Sequence, residues 1–310
     1  MTRVAAVDCG TNSIRLLVAD IDVIANTLTD VYRRMEIVRL GEGVDRTGRF
    51  ADAALDRTFA ACRRYAEVIE ATGAERLRFV ATSASRDVDN RADFVAGVHA
   101  ALRVEPEVVT GAEEAELSFL GATRELADGG DAEPYLVVDI GGGSTEFVLG
   151  GTTVQAARSV DIGCVRMTER HLHDDPPTAA QVAAARADIE AAIRFAAETV
   201  PVRQTATLVG LAGSVTTVAA MALDLPTYQA ERIHRSRIPA ADVLDVTARL
   251  LAMTHEERAA LPFMHPGRVD VIGAGALILG CVLDAVPVGD VLVSEHDILD
   301  GIAWSLVSPA

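Results

Sequence analysis

Residues 136–149 read Leu-Val-Val-Asp-Ile-Gly-Gly-Gly-Ser-Thr-Glu-Phe-Val-Leu: an apolar strand, a glycine-rich turn and a second apolar strand. Residues 4–18, Val-Ala-Ala-Val-Asp-Cys-Gly-Thr-Asn-Ser-Ile-Arg-Leu-Leu-Val, repeat that design near the start of the chain. Each stretch predicts a β-hairpin whose tight turn exposes backbone N–H groups beside one carboxylate, Asp139 or Asp8. Such a turn suits a phosphate with a divalent cation, because amides bind the anion while the carboxylate binds the metal. Two copies predict two related domains that face each other across a phosphate-binding cleft.

The domain organisation follows from the length of the chain and from the elements around the hairpins. A chain of 310 residues can form two domains, each with its own core. Strands alternate with helices in both halves, which is typical of α/β domains. The polar, glycine-rich segment 127–134 precedes the second hairpin and is interpreted as a linker. We therefore predict domains over residues 1–130 and 131–310.

The composition excludes several classes of function. The formal net charge is −17 and the pI is about 4.8, which argues against a general nucleic-acid binder. The chain contains no lysine, which excludes a Walker A phosphate loop. No apolar run reaches the length of a membrane span and the N-terminus carries no apolar signal region, so we expect a cytoplasmic protein. Four widely separated cysteines predict buried thiols rather than disulfides or a zinc site.

Sequence blocks of a recognisable type occur along nearly the whole chain: residues 8–13, 81–86 with Asn90, 111–115, 139–146, 161–166, 210–217, 270–276, and 293–295 with Gly301. In this order they resemble the exopolyphosphatase/guanosine pentaphosphate phosphatase family of the acetate-kinase/sugar-kinase/Hsp70/actin superfamily. The resemblance implies an α/β fold of two ribonuclease-H-like (actin-like ATPase) domains flanking a central cleft. It also implies the short, actinobacterial form without a helical HD-like domain. The last helix packs either on the second domain or back on the first.

The second hairpin supplies the candidate metal ligands. Asp139 and Glu146 stand at opposite ends of its turn. Two carboxylates together with phosphate and water oxygens suit Mg²⁺, with Mn²⁺ as the alternative. In the family that the chain resembles, the residues at both positions assist metal or phosphate binding. A turn-capping Asp and an edge-strand Glu are the ordinary structural interpretation of the same pattern.

A general base is expected near the start of the helix that follows Gly111. Glu113, Glu114 and Glu116 all lie there, and acidic residues in the first turn of a helix are favoured by its dipole in any case. Spacing alone does not choose among the three. The resemblance implies Glu114, because the catalytic glutamate of the family is the second Glu of Gly-x-Glu-Glu-Ala. Its carboxylate would accept a proton as water attacks the terminal phosphorus, and burial and neighbouring acids would raise its affinity for that proton.

Small residues in turns are the candidate phosphate ligands, through their hydroxyls and backbone amides. They are Thr11, Asn12 and Ser13 in the first hairpin, Gly141, Gly142, Gly143, Ser144 and Thr145 in the second, and Gly213 and Ser214 after a later strand. Arg86, at the end of another strand, is the candidate clamp on the terminal phosphate, because a guanidinium binds phosphate oxygens in pairs. Its ordinary alternative is a surface arginine paired with Asp87 or Asp89.

Two further polar groups are interpreted as ordinary surface. Arg232, His234, Arg235 and Arg237 form a basic cluster that could guide a polyanion, but a solvated loop face is the favoured interpretation. Residues 295–297, Glu-His-Asp, are interpreted as a turn and a helix cap rather than a catalytic pair.

The sequence therefore predicts an exopolyphosphatase, a Mg²⁺-dependent phosphoanhydride hydrolase that releases terminal phosphate from inorganic polyphosphate. No nucleophile pattern predicts a covalent intermediate. A guanosine pentaphosphate 5′-phosphohydrolase is the alternative that uses the same site, and block 111–115 disfavours a sugar or carboxylate kinase. A non-catalytic sensor of polyphosphate or an alarmone is the alternative from another class. Neither nucleic acid nor a membrane is an expected partner, and a homodimer is an open prediction of the resemblance.

Overall fold

The computed structural model describes residues 1–86, 88–126 and 130–307. They form two compact units, one of Met1–Gly121 with the C-terminal segment from Ile298, and one of Ala122–Asp297. Part of the predicted linker, residues 127–129, lies outside the described residues.

The sheet of the first unit is built around the first hairpin. Its strands are β1 (Thr2–Cys9), β2 (Ser13–Asp22), β3 (Thr27–Ile37), β4 (Arg76–Ala81) and β5 (Glu107–Val108). The strand order is β3-β2-β1-β4-β5, in which β1, β2 and β3 are antiparallel neighbours and β4 and β5 continue parallel to β1. The hairpin predicted from residues 4–18 is confirmed, and its register places Asp8 opposite Arg15.

Helices cover both faces of this sheet. They are α1 (Val44–Thr47), α2 (Asp52–Thr72), α3 (Ser83–Arg86), α4 (Arg91–Leu102), α5 (Gly111–Thr123) and, from the C-terminus, α13 (Ile298–Ser305). Alternate residues of a strand point to opposite faces, and both sets are apolar in β1. Ala5 and Val7 lie in a core cluster with residues of α2 and α4, whereas Val4 and Ala6 lie in a cluster with residues of α13.

The helix α13 packs closely on α5 within the first unit. A Cβ atom at Gly301 would stand 1.9 Å from the carbonyl oxygen of Leu117, so only glycine allows this approach. The sequence predicted a single division between residues 130 and 131, with the position of the last helix left open. The units divide after Gly121 and before Ile298, so α13 belongs to the first unit, where its apolar residues complete the core beneath β1.

An ion pair between Arg33 of β3 and Asp300 of α13 is expected to stabilise this packing. The residue Asp300 is 2% exposed, and Arg33 donates to both of its carboxylate oxygens. Arg33→Ala removes this cation from a buried carboxylate, so we expect the free energy of unfolding to fall by about 3–5 kcal/mol in urea titrations. The control Arg34→Ala, an exposed arginine of the same strand paired with Glu36, should cost less than about 1 kcal/mol. Equal losses in the two variants would contradict the prediction.

The sheet of the second unit is built around the second hairpin. Its strands are β6 (Tyr135–Ile140), β7 (Thr145–Gly150), β8 (Val154–Val160), β9 (Thr207–Leu211), β10 (Arg237–Pro239) and β11 (Asp290–Val293). The strand order is β10-β11-β9-β6-β7-β8. Every residue of β6 and β7 is buried, which is typical of strands covered on both faces. The predicted second hairpin is confirmed, and its register places Asp139 opposite Glu146.

The helices of the second unit, apart from α11, contribute residues to one core cluster with this sheet. They are α6 (Cys164–His171), α7 (Ala179–Ala197), α8 (Ala212–Ala222), α9 (Ala230–Ile233), α10 (Ala240–Ala252), α11 (His255–Ala259) and α12 (Ile272–Ala285). The helix α7 begins with a capping box, in which the Thr178 side chain and the Gln181 side chain each accept the other residue's backbone N–H.

The repeat detected in the two hairpins extends to both sheets. In each unit the hairpin is followed by a third antiparallel strand, and the first strand of the hairpin has a parallel neighbour on its other side. The order β3-β2-β1-β4-β5 thus corresponds to β8-β7-β6-β9-β11, with β10 added at the edge of the second sheet. Equivalent positions of the two hairpins can therefore be compared directly.

Two expectations from composition can be compared with the fold. Cys9, Cys62, Cys164 and Cys281 are all free and buried, as predicted. Across the described residues, none of the helices combines the length and the apolar character that a membrane crossing requires.

Candidate functional site

The two hairpin turns close in the same way. In the first, the amide of Gly10 donates to the carbonyl of Ser13 at 2.9 Å, and in the second the amide of Gly141 donates to the carbonyl of Ser144 at 3.1 Å. Each turn therefore has a short loop of two residues between a glycine donor and a serine acceptor. An Asp is the last but one residue of the first strand in both hairpins and stands two residues before that glycine.

In each unit, the segment after the third strand donates hydrogen bonds to the backbone carbonyl groups of the turn. In the first unit, the amide of Gly41 donates to Thr11, and two further amides donate to the carbonyl of Asn12. In the second unit, the first amides of α6 donate to the carbonyls of Gly141 and Gly142 at 2.9–3.1 Å, and the Arg166 side chain donates to that of Gly143 at 2.7 Å. These carbonyls are consequently fixed by protein donors.

A glycine permits the close approach in both units. A Cβ atom at Gly41 would stand 2.3 Å from the Thr11 side chain. A Cβ atom at Gly163, just before α6, would stand 2.3 Å from the carbonyl oxygen of Gly142 and 2.5 Å from the amide nitrogen of Gly143. Any larger residue would therefore displace the turn.

The second turn presents backbone donors. Among the described residues, which are 1–86, 88–126 and 130–307, no backbone acceptor is found for the amides of Gly142, Gly143 and Ser144. Successive amides of this kind form an anion-binding concavity. The Thr145 hydroxyl is used differently, because it donates to the carbonyl of Ile162 at 2.5 Å. Phosphate binding by this turn would therefore rely on the amides and on Ser144 rather than on the Thr145 hydroxyl.

Charge distinguishes the two hairpins at equivalent positions. Asp8 forms an ion pair with Arg15 opposite to it, with nitrogen–oxygen distances of 2.6 and 2.9 Å. Asp139 instead lies opposite Glu146, and these residues are 7% and 1% exposed. Like charges directly opposed in a sheet are unfavourable, and burial increases that cost.

A divalent cation fits the pair of carboxylates in the second hairpin. Both are hard oxygen ligands of the kind that Mg²⁺ and Mn²⁺ prefer, and a cation would offset their repulsion. The hydroxyl of Ser159 on β8 donates to Glu146 at 2.7 Å, which orients that carboxylate. The first hairpin lacks this donor set, since an arginine stands at the position equivalent to Glu146.

A second group of donors lies at the start of α8. Gly213 and Ser214 occupy its first turn, where backbone amides have no partner within a helix. Ala212, which joins β9 to this helix, has a left-handed backbone with φ of 67°, a strained conformation for a residue with a Cβ atom. Backbone strain of this kind clusters at functional sites. The Ser214 side chain is buried.

An arginine and a cysteine adjoin this helix start. A Cβ atom at Gly213 would stand 2.4 Å from the guanidinium carbon of Arg268, so the arginine lies directly against the glycine. Arg268 also donates to the Thr217 hydroxyl at 3.1 Å. Burial raises the pKa of the Cys164 thiol, which hydrogen-bonds with the Ser214 side chain. The amides and Arg268 are therefore stronger candidates for phosphate contact than the Ser214 hydroxyl.

In the first unit, Arg86 is paired with the candidate base. Arg86 lies on α3 and donates to the Glu114 carboxylate at 2.7 Å and to the carbonyl of Val109 at 3.0 Å. Glu114 is 7% exposed, whereas Glu116 is exposed and Glu113 is half-buried and bound to Arg78. Burial was expected for the base, and the cation Arg86 is one of its neighbours. The surface pairing of Arg86 with Asp89 is not found, and Asp87 lies outside the described residues.

Comparison with known proteins identifies the family. The model of the Ppx/GppA phosphatase family matches residues 17–308. The chain belongs to this family. The resemblance predicted from the sequence is thereby confirmed, and the predicted class of phosphoanhydride hydrolase agrees with it.

Members of the Ppx/GppA family align with the chain over most of its length. "Exopolyphosphatase 2" of Mycobacterium tuberculosis is 52% identical over 99% of this chain and 99% of its own. The guanosine-5′-triphosphate,3′-diphosphate pyrophosphatase of Aeromonas salmonicida is 27% identical over 98% of this chain and 59% of its own. The crystal structure of an exopolyphosphatase-like protein has a TM-score of 0.95 at 43% identity, covering 98% of this chain and 97% of its own. The predicted α/β fold class is confirmed, since each of the two units contains a mixed sheet packed with helices.

Within this Ppx/GppA chain, the predicted site residues fall into separate local groups. Thr11 lies with Ser83, their hydroxyl oxygens 3.1 Å apart, while Asn12 and Ser13 complete the first turn. Asp139 and Glu146 face each other beside residues 141–145, and Gly213 and Ser214 begin α8. The roles of these residues stay predictions.

Three features of the site were missed by the sequence reasoning. Arg15 could have been found by aligning the two hairpins, since it occupies the position of Glu146. Gly41 and Gly163 both follow the third strand of their unit. Matching them from the sequence would have required knowing where those two strands end. Arg268 left no local signal, because its contact with Gly213 depends on the packing of distant segments.

Proposed function

We propose that the chain is an exopolyphosphatase that releases the terminal phosphate of inorganic polyphosphate. The observation that carries the proposal is the buried pair Asp139 and Glu146 at the ends of a turn with three available amides. Such a site binds a metal and a phosphate together. The 52% identity to a protein named exopolyphosphatase over the whole length supports polyphosphate as the substrate.

In this proposal each group of residues has one task. Asp139 and Glu146 hold Mg²⁺, or Mn²⁺, which when bound neutralises charge on the phosphoryl group that is transferred. The amides of residues 142–144 and the start of α8 bind phosphate oxygens, and Arg268 adds a cation there. In the first unit, Thr11, Asn12 and Ser13 bind further phosphate oxygens.

Glu114 acts as the general base in the proposed reaction. Its carboxylate accepts a proton from a water molecule while the water oxygen attacks the terminal phosphorus. The bond from that phosphorus to the bridging oxygen breaks, so the products are orthophosphate and a chain shorter by one unit. Arg86 holds the carboxylate through its hydrogen bond. If Arg86 also acts as the predicted clamp, its guanidinium must bind the terminal phosphate as well as the Glu114 carboxylate.

Guanosine pentaphosphate is the second candidate substrate. The relative from Aeromonas salmonicida is named for the hydrolysis of this nucleotide, and it aligns with 98% of the chain. Removal of its terminal phosphate uses the same bond chemistry and the same residues.

Dimerisation stays a prediction.

A comparison of substrates tests the assignment. We expect phosphate release from long and short polyphosphate to have a higher kcat/KM than release from guanosine pentaphosphate, measured at saturating Mg²⁺. Ethylenediaminetetraacetate should abolish all three activities, and added Mg²⁺ should restore them. A kcat/KM that is highest for guanosine pentaphosphate would reverse the order of the two candidates.

A further inference from the structure

Three metal-ligating side chains meet in the second unit, outside all the groups described above. Glu125 follows α5, His234 follows α9, and His296 lies between β11 and α13. One potential ligand atom of each lies within 4.8 Å of the other two. The Nε2 atom of His234 is 3.2 Å from one oxygen of Glu125, and the Nδ1 atom of His296 is 3.4 Å from the other.

We propose that Glu125, His234 and His296 form a binding site for a divalent transition-metal ion of the Zn²⁺ and Co²⁺ class. Two imidazole nitrogens and one carboxylate are a common ligand set for these ions, with a remaining position for water. Mg²⁺ prefers all-oxygen ligands, so the site differs in metal preference from Asp139 and Glu146.

The arrangement of the rings supports a shared ligand rather than a simple ion pair. The two imidazole rings lie with centroids 4.7 Å apart, and both turn a nitrogen toward the same carboxylate. A proton bound to one imidazole strengthens only the contact of that ring with Glu125. A metal cation between the three side chains would contact one ligand atom of each. The Glu125 side chain is 52% exposed, so an ion can enter from solvent.

A second contact of His234 limits the affinity. Its Nδ1 atom accepts the backbone N–H of Glu295 at 3.2 Å, which places the ring proton on Nε2. A metal at Nε2 shifts that proton to Nδ1, and the Glu295 amide then loses its acceptor. Metal-bound histidines are usually supported by an acceptor at the other nitrogen, so we infer weaker binding than in a site built that way.

A cobalt titration of the full-length protein tests the site. With Mg²⁺ in large excess, we expect one equivalent of Co²⁺ to bind and to produce visible absorption bands of a nitrogen- and oxygen-ligated ion. The double variant His234→Ala/His296→Ala should lower the affinity at least ~100-fold, since even outer-shell partners contribute 10- to 100-fold. Glu125→Gln, at an exposed side chain with little influence on folding, should weaken binding in the same direction.

Two controls separate this site from the rest of the chain. His99→Ala, an exposed histidine on α4, should leave the titration unchanged. Asp139→Asn/Glu146→Gln should also retain the Co²⁺ bands, so that loss of the magnesium site and loss of this site are distinguishable. Absence of the bands in the wild type, or equal affinity in the wild type, the histidine double variant and Glu125→Gln, would overturn the proposal.

Discussion

Glu114→Gln is expected to lower kcat for phosphate release by about 10²–10⁴-fold, the usual contribution of a positioned general base. The amide has the shape of the carboxylate and can still accept the Arg86 hydrogen bond, but it cannot take the proton from water. We expect the affinity for polyphosphate and for Mg²⁺ to change no more than a few-fold, because the proton transfer occurs only in the transition state. Phosphate release and equilibrium binding are measured separately.

Glu113→Gln is the matched control for this variant. Glu113 precedes Glu114 on the same helix, but it is half-buried and binds Arg78. Its replacement should leave kcat unchanged. If both variants lost activity equally, the loss would result from a change in the structure of helix α5 rather than from the loss of a general base. A wild-type protein that binds polyphosphate tightly without releasing phosphate would instead support the sensor interpretation.

The choice of Glu114 as the candidate base shows what the sequence could predict and what it could not. Glu113, Glu114 and Glu116 are equivalent in a sequence pattern, since all three satisfy the helix dipole. In the fold, Glu114 is buried and lies beside Arg86 of α3. The resemblance selected the same residue, but the cation beside it depends on a contact between distant segments that spacing does not encode.

The hairpins were predictable because their information is local. Apolar strands, a glycine-rich turn and a second apolar strand specify a hairpin within fifteen residues, and the fold confirms both. The domain boundary was less predictable, because it depends on where α13 packs. An apolar helix such as Ile298–Ser305 can complete either core, and the close approach of Gly301 to Leu117 becomes visible only in three dimensions.

Asp139→Asn is expected to raise the Mg²⁺ concentration required for half-maximal activity about 10- to 100-fold, with lower phosphate release at every concentration below saturation. Changes around a metal site typically cost this much in affinity, and here one of two anionic ligands is lost. Activity measured against Mg²⁺ concentration gives the shift. Unchanged Mg²⁺ dependence would contradict the assignment of Asp139 as a metal ligand.

The repeat provides an opposite control at the equivalent position. Without metal, Asp139→Asn removes one of two opposed negative charges, so the free energy of unfolding should rise by up to about 1 kcal/mol. Asp8→Asn instead takes the carboxylate away from Arg15, and the free energy of unfolding should fall by about 1.5–3 kcal/mol. Saturating Mg²⁺ should stabilise the wild type and Asp8→Asn by similar amounts, and Asp139→Asn by less. Urea titrations with and without Mg²⁺ measure these differences. Opposite signs at equivalent positions would distinguish a carboxylate that lies opposite an arginine from one that lies opposite a second carboxylate.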